Sequence, residues 1–171
     1  MRKLIVLTLF VGLFSWSAMA ADNPKAEVFG GYQYSHLEGG TGANGWNFAL
    51  NGNFNDWFGI TADFGGAYAS VSGISIHNYT YTFGPTLSLR ANKGYTPFVH
   101  ALFGGDQASA SFLGVSGSSS GFAALIGGGV DVNVSPRLAI RAAQADWFMV
   151  HSSGSTSSKN VRISFGIVAR F

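Results

Sequence analysis

The 171-residue sequence contains no cysteine, which excludes a disulfide framework and leaves stability to a closed hydrogen-bond ladder or to the surroundings of the fold. Charge is scarce as well. Asp, Glu, Lys and Arg make up 11% of the chain, against roughly 25% in soluble domains, so there is little to solvate an ordinary protein surface. Beyond residue 20 no apolar run approaches the roughly 20 residues of a membrane-spanning helix. The basic residues stand singly rather than as a stripe, which argues against a nucleic-acid surface.

The one long apolar run lies at the start. Arg2 and Lys3, the apolar stretch Leu4 to Phe14, and the small residues Ala18 and Ala20 have the layout of a cleaved secretory signal, with the mature chain beginning at Ala21. A retained anchor helix is the competing reading, and the apolar run is short for it. Removing Arg2 and Lys3 leaves eight basic residues against eight acidic ones, so the mature net charge is zero. Residues 21–171 suit one domain, with no room for a separate peptidoglycan-binding domain.

Glycine (24 residues) and aromatics (15%) are abundant, and the apolar residues alternate. At the end of the chain Val161, Ile163, Phe165, Ile167, Ala169 and Phe171 interleave with Arg162, Ser164, Gly166, Val168 and Arg170. Period two over this length matches a tilted membrane-spanning strand of roughly 9 to 11 residues. Turn signals divide the mature chain into eight such strands, about 26–36, 45–54, 57–69, 78–91, 95–109, 121–134, 137–150 and 160–171. Tight turns are predicted at Asn55-Asp56, Asn92-Lys93-Gly94 and Ser135-Pro136. The other connections, about 37–44, 70–77, 110–120 and 151–159, read as longer loops rich in Gly, Ser and Asn. That asymmetry predicts an eight-stranded antiparallel up-and-down transmembrane β-barrel, with the longer loops outside the cell and both termini in the periplasm.

The faces agree from strand to strand. Trp46, Phe48, Leu50 and Phe54 oppose Asn47, Asn51 and Asn53, and Phe58, Ile60, Ala62, Phe64 and Tyr68 oppose Gly59, Thr61, Asp63 and Gly65. Tyr79, Tyr81, Phe83, Leu87 and Leu89 oppose Thr80, Thr82, Thr86, Ser88 and Arg90, with Pro85 as a local irregularity. The seventh strand departs from the pattern. Strict alternation from Leu138 and Ile140 would turn Gln144 and Asp146 toward lipid, so a bulge is predicted near Ala142 or Ala143 to reset the phase.

A soluble ligand-binding barrel of the lipocalin kind would carry its aromatics inside. An eight-stranded interior is only wide enough for side chains to fill it, and the opposite face is too poor in charge for a soluble surface. Lipid therefore lies outside. Glu27, Asp63, Arg90, His100, Asp131, Arg141, Arg162 and Arg170 are then lumenal, with Asp106 and Asp146 as further candidates. An arginine facing lipid at the midplane costs about 2 to 4 kcal/mol, and unpaired burial is costly too, so these charges should form a plugging network. Inward glycines, Gly31, Gly65, Gly104, Gly127 and Gly129, would leave the arginines space. Tyr34, Trp46, Tyr68, Tyr79 and Phe122 suit an outer aromatic belt, and Phe54, Phe58, Tyr95 and Phe171 a periplasmic one.

No residue set carries obvious chemistry. His151 and Ser153 resemble the His-x-Ser element of lipid A deacylases, but no Asp or Glu follows Asp146 to complete a nucleophile–base–acid set. His36 and His77 sit near the outer rim, and the four histidines lack ligand spacing, so no metal is expected. Gly39-Gly40-Thr41-Gly42 and Gly127-Gly128-Gly129 lack the Lys, Ser/Thr and following helix of a phosphate loop, and Ser116 to Ser120 reads as a solvated linker. No catalytic residue or cofactor is predicted.

The terminal strand, with Phe165, Ile167 and a final Phe171, resembles the assembly signal of bacterial outer-membrane β-barrels. The whole mature chain is similar to the small OmpA/OmpX-type and opacity-like members of that family. The resemblance implies recognition by the barrel-assembly machinery, residence in outer-membrane lipid and a monomeric state. Its members include structural barrels, narrow pores, adhesins and a few lipid-modifying enzymes, so the fold leaves function open. The leading expectation is a non-enzymatic envelope barrel with a plugged lumen. Its rivals are a narrow porin and a surface-binding module acting through loops 37–44 and 110–120.

Overall fold

The computed structural model describes residues 24–38, 40–71, 74–112, 115–152 and 154–171. The proposed signal, residues 1–20, lies outside them. The chain forms β1 (Ala26–Leu37), β2 (Thr41–Asn53), β3 (Phe58–Val71), β4 (Ile74–Ser88), β5 (Tyr95–Phe112), β6 (Val115–Ser135), β7 (Leu138–Ser152) and β8 (Ser155–Arg170). Each strand pairs antiparallel with the next, and β8 pairs back onto β1 to close the barrel. Closure consumes every edge, which a sheet lacking disulfides needs. Both described chain ends meet at the lower end, where Phe171 N donates to Ala26 O and Lys25 N donates to Phe171 O.

The lower turns follow their polar residues. Asn55 Oδ1 accepts from the amides of Trp57 and Phe58, and Asn92 Oδ1 accepts from Gly94 N, so the Asn side chains stand in for backbone partners. The upper end differs from expectation. The segments 37–44, 70–77, 110–120 and 151–159 are mostly strand: β2 starts at Thr41, β5 and β6 run to Phe112 and from Val115, and β8 starts at Ser155. Above the aromatic girdle both faces of a strand meet water, so alternation lapses and Ser and Gly look like loop while the backbone ladder continues. Gly40, at φ 85°, turns β1 into β2 in the left-handed region that glycine adopts without strain.

Outward positions are those the alternation marks. Trp46, Phe48, Leu50, Phe64, Tyr68, Tyr79, Tyr81, Phe83, Phe165 and Ile167 are all exposed on the outer surface. Some outward glycines are roofed by rings from the neighbouring strand: the Trp46 indole covers Gly66 and the Tyr81 ring covers Gly105. Such aromatic cover fills the space a missing side chain leaves and shields the backbone. In the upper girdle Trp46 Nε1 donates to Tyr68 Oη at 3.1 Å, and Tyr68 packs edge-on to Tyr79.

β7 carries an extra residue. Val130 faces Ala143 while Asp131 faces Arg141, and on the other side Arg141 faces Gly166 while Gln144 faces Ser164. Ala142 and Ala143 are both exposed, and Gln144 and Asp146 return to the interior at 1% exposure each. Across Pro85 the ladder to β3 continues with Ile60 opposite Pro85, and the proline is exposed on the outer face where its missing N–H is tolerated.

Candidate functional site

The interior is where charge gathers. At the lower end Glu27, near the start of β1, accepts from Arg90 just beyond β4 (Nη2 to Oε2, 2.8 Å) and from Arg170 near the end of β8 (Nε to Oε1, 2.8 Å). Asn51 and Asn53 on β2 donate to the same carboxylate at 3.0 and 3.2 Å. Arg170 continues toward Asp131 on β6, 3.9 Å away, and Asp131 takes the Nε and Nη2 of Arg141 at 2.8 and 3.2 Å. The Arg141 guanidinium lies between the Phe29 and Phe98 rings, 4.4 and 4.2 Å from their centroids, a sandwich that holds a desolvated cation.

From Arg141 the chain of contacts climbs. Arg141 Nη1 donates to Gln144 Oε1 at 2.8 Å, and Gln144 Nε2 donates to Asp146 Oδ2 at 2.8 Å. Asp146 also meets His100 Nε2 and Arg162 Nε, each at 2.8 Å. Arg162 Nη1 reaches across to Asp63 Oδ1 at 2.7 Å, and Asn47 donates to the other oxygen of Asp63. Four carboxylates (Glu27, Asp63, Asp131, Asp146) thus face four guanidiniums (Arg90, Arg141, Arg162, Arg170) in one network. Its formal charge is zero with His100 neutral, so the four acids and four arginines of the network balance one another.

The sequence-derived lumenal residues all face inward, and the network takes in Asp146 and His100 as well. Asp106 stands apart, its carboxylate bonded by Asn78 Nδ2 at 2.6 Å. Inward glycines make room: a Cβ on Gly65 would lie 2.7 Å from Thr80 Oγ1, 2.9 Å from Gln33 Oε1 and 3.4 Å from Arg162 Nη1, and one on Gly127 would collide with Asp146 Oδ1. At the end of the chain Phe165 and Ile167 project outward and Phe171 holds the β1–β8 seam.

The lumen also holds apolar side chains that the sequence reading did not name. Phe29, Phe98 and Phe148 point inward, as do Leu102 and Leu125. Phe29 lies on the same strand face as Glu27 and Gly31, so parity alone marks it as inward. Near the upper end Leu102, Ala123, Leu125 and Phe148 form an apolar cluster, with Leu37 and Val150 packed against it. The space left over is small. A cavity of about 20 Å³ touches Glu27, Asp63, His100, Arg141 and Gln144, and one of about 10 Å³ touches Gln33, Thr80, Leu125, Phe148 and Arg162, each with room for about one water. The Arg162 layer stands between them.

The outer histidines form no site with one another. His36, His77 and His151 are exposed; His77 packs edge-on to Tyr68, and His151 Nδ1 pairs with Thr156 Oγ1 at 2.7 Å. Ser153, the other half of the deacylase-like element, lies outside the described residues. Among the described residues no cluster of three or more His, Asp or Glu could hold a metal ion.

Residues 6–171 match the model of the outer membrane protein beta-barrel domain family. The fold is similar to that of Neisserial surface protein A, at 13% identity over 85% of this chain and 96% of that one, with a TM-score of 0.71. It is also similar to Ail, the attachment invasion locus protein of Yersinia pestis, at 20% identity over 87% and 99% of the two chains, TM-score 0.62. The N-terminal β-barrel domain of Pseudomonas aeruginosa OprF matches at 11% identity over 86% and 98%, TM-score 0.62. No curated protein matches the chain in sequence.

Proposed function

Because the chain belongs to the outer-membrane β-barrel protein family, we propose that it is a non-enzymatic integral barrel with a structural role in the envelope, its lumen closed to solutes. The observation that carries this reading is the balanced network of four acids and four arginines spanning the interior, beside cavities of about 20 and about 10 Å³. An ion crossing it would have to part these buried, hydrogen-bonded ion pairs. The same reading has residues 1–20 removed as an export signal and both ends of the mature chain in the periplasm. The last strand, with Phe165, Ile167 and Phe171, is read by the barrel-assembly machinery, and the finished barrel sits as a monomer in outer-membrane lipid. Refolding the chain from Ala21 onward into planar bilayers, with folding confirmed by heat-modifiable gel mobility, tests it. A folded protein without current steps, and without turnover of lipid A or phospholipid, is the expected result. Stable, reproducible current steps would replace this reading with the narrow porin.

A second reading is surface binding at the upper end. β5 and β6 have 18 and 21 residues, about twice the 9 to 11 that cross hydrocarbon, so their Ser- and Gly-rich tips stand clear of the membrane. The similar Ail has also been crystallised with the heparin analogue sucrose octasulfate. Replacing residues 110–117 with Asn-Gly should abolish binding of this chain to heparin or host cells while the barrel still folds. Retained binding would remove these tips from consideration.

A further inference from the structure

Above the Arg162 layer the lumen changes character. Leu102 and Leu125 are 0% and 1% exposed and pack with Ala123 and Phe148, none of which offers a side-chain hydrogen-bonding group to water. Leu37, at the end of β1, packs against this cluster, whose leucines come from β5 and β6 on the far side of the eight-stranded ring. Leu37, Leu125 and Phe148 also line the upper cavity, so they roof it while Arg162 borders it.

One buried amide fastens the roof. Asn160 on β8 is 3% exposed; its Oδ1 accepts from Glu38 N at 2.7 Å, and its Nδ2 donates to Phe148 O at 3.2 Å and to Ser157 Oγ at 2.9 Å. It therefore ties the residue after Leu37 to the backbone of Phe148. The alternation rules read Asn160 only as the first residue of the last strand.

We infer that Leu37, Leu125 and Phe148, clasped by Asn160, form an apolar seal across the outer half of the lumen, in series with the ion layer. Where apolar side chains meet across a narrow lumen they exclude water by dewetting, a barrier independent of the charges below it. The inference deepens the closed-barrel reading and rests on it for which end faces outward. It implies that breaching the ion layer alone does not open the barrel to the outside.

The chain lacks cysteine, so a single introduced thiol reports its own accessibility. Thr80 borders the upper cavity, beneath the roof. In vesicles carrying the refolded full mature chain, Thr80→Cys should react with a small quaternary-ammonium methanethiosulfonate added from the outer face at least tenfold more slowly than an exposed Ser119→Cys control. Adding Leu37→Ser or Asn160→Ala should raise the Thr80→Cys rate at least tenfold, and adding Arg141→Met should leave it slow. Heat-modifiable mobility establishes that each variant is folded; should Leu37→Ser fail to fold, Asn160→Ala carries the test. Rapid labelling of Thr80→Cys behind an intact roof, or acceleration by Arg141→Met rather than by the roof variants, overturns the seal. If the barrel then still carries no current, the closed lumen stands without the seal; a conducting parent barrel would instead refute the closed lumen itself.

Discussion

Replacing Arg162 with Met removes the guanidinium from the middle of the barrel while keeping much of its apolar stem. The side chain is 3% exposed and bonds Asp63 and Asp146 at 2.7 and 2.8 Å, so its loss leaves two buried carboxylates without their shared cation. Breaking a buried pair by removing one partner costs about 3 to 5 kcal/mol. Here Asn47 still donates to Asp63, and Gln144 and His100 still meet Asp146, which places the expected loss near the lower end, about 3 kcal/mol. That is a large share of a native stability of about 5 to 15 kcal/mol.

The rescue is the sharper half of the experiment. Arg162→Met combined with Asp63→Asn removes one cation and one anion, so three arginines still face three carboxylates, and removing both partners of a buried pair costs less than removing one. The double variant should be more stable than Arg162→Met alone by about 1 kcal/mol or more. Urea unfolding in lipid vesicles reads this out through Trp46, Trp57 and Trp147, all exposed on the outer surface and all moved from lipid to water on unfolding. A single variant losing under about 1 kcal/mol, or a double variant no more stable than the single, would refute the argument that paired burial holds this layer.

Deleting Ala142 removes the extra residue of β7 and should turn Gln144 and Asp146 toward lipid, severing their bonds to Arg141, Arg162 and His100. No heat-modifiable folded band is expected, and a normal band would contradict the role of the bulge. Gly65→Val should lower stability by about 1 to 3 kcal/mol through overpacking against Thr80, Gln33 and Arg162, although valine suits strands better than glycine; a gain in unfolding midpoint would show that the space is not needed. Tyr81→Ala should cost about 0.5 to 1 kcal/mol more than Phe83→Ala, because only the tyrosine ring roofs a glycine, Gly105; equal losses in vesicle unfolding would dismiss the roof.

The membrane-facing surface was legible because lipid imposes a rule on every second residue. Trp46, Phe64, Tyr81 and Ile167 could be placed from parity alone, and even the break in β7 was readable, since the polar pair Gln144 and Asp146 would otherwise face hydrocarbon. The strand ends were not legible. Above the girdle no rule distinguishes the faces, and Ser118, Ser119 and Ser120 pair in a ladder with Ser109, Ala108 and Gln107 although their composition reads as loop. Inside, parity shows which residues face the lumen but not which of them touch. Glu27 meets Arg90 and Arg170 from strands far apart in sequence, and Leu37 reaches the Leu125–Phe148 cluster across the ring. Such contacts follow from the stagger and tilt of closure, which no local pattern encodes.

Closure is also where the network acts on folding. The β1–β8 seam joins the first and last strands, and Glu27 and Arg170, 143 residues apart, face each other across it both as a backbone pair and through a buried 2.8 Å bond. A slip of β8 by one residue would turn Arg162, Ser164 and Arg170 to lipid and bring Ile163, Phe165 and Ile167 into the lumen, because the side-chain period is two. Arg162 facing hydrocarbon would cost about 2 to 4 kcal/mol near the midplane and Arg170, at the lower end, about 0 to 1, and Asp63, Asp146 and Glu27 would each lose an arginine partner at the same time. A two-residue slip keeps the faces but separates Glu27 from Arg170 and moves Arg162 away from the gap over Gly65 that admits it. The hydrophobic alternation thus selects the parity of the seam, and the ion pairs select its register. A lumen built only of Ser and Gly could satisfy the first requirement and not the second, which gives this charge-poor chain a reason to hold four acids and four arginines in one interior network.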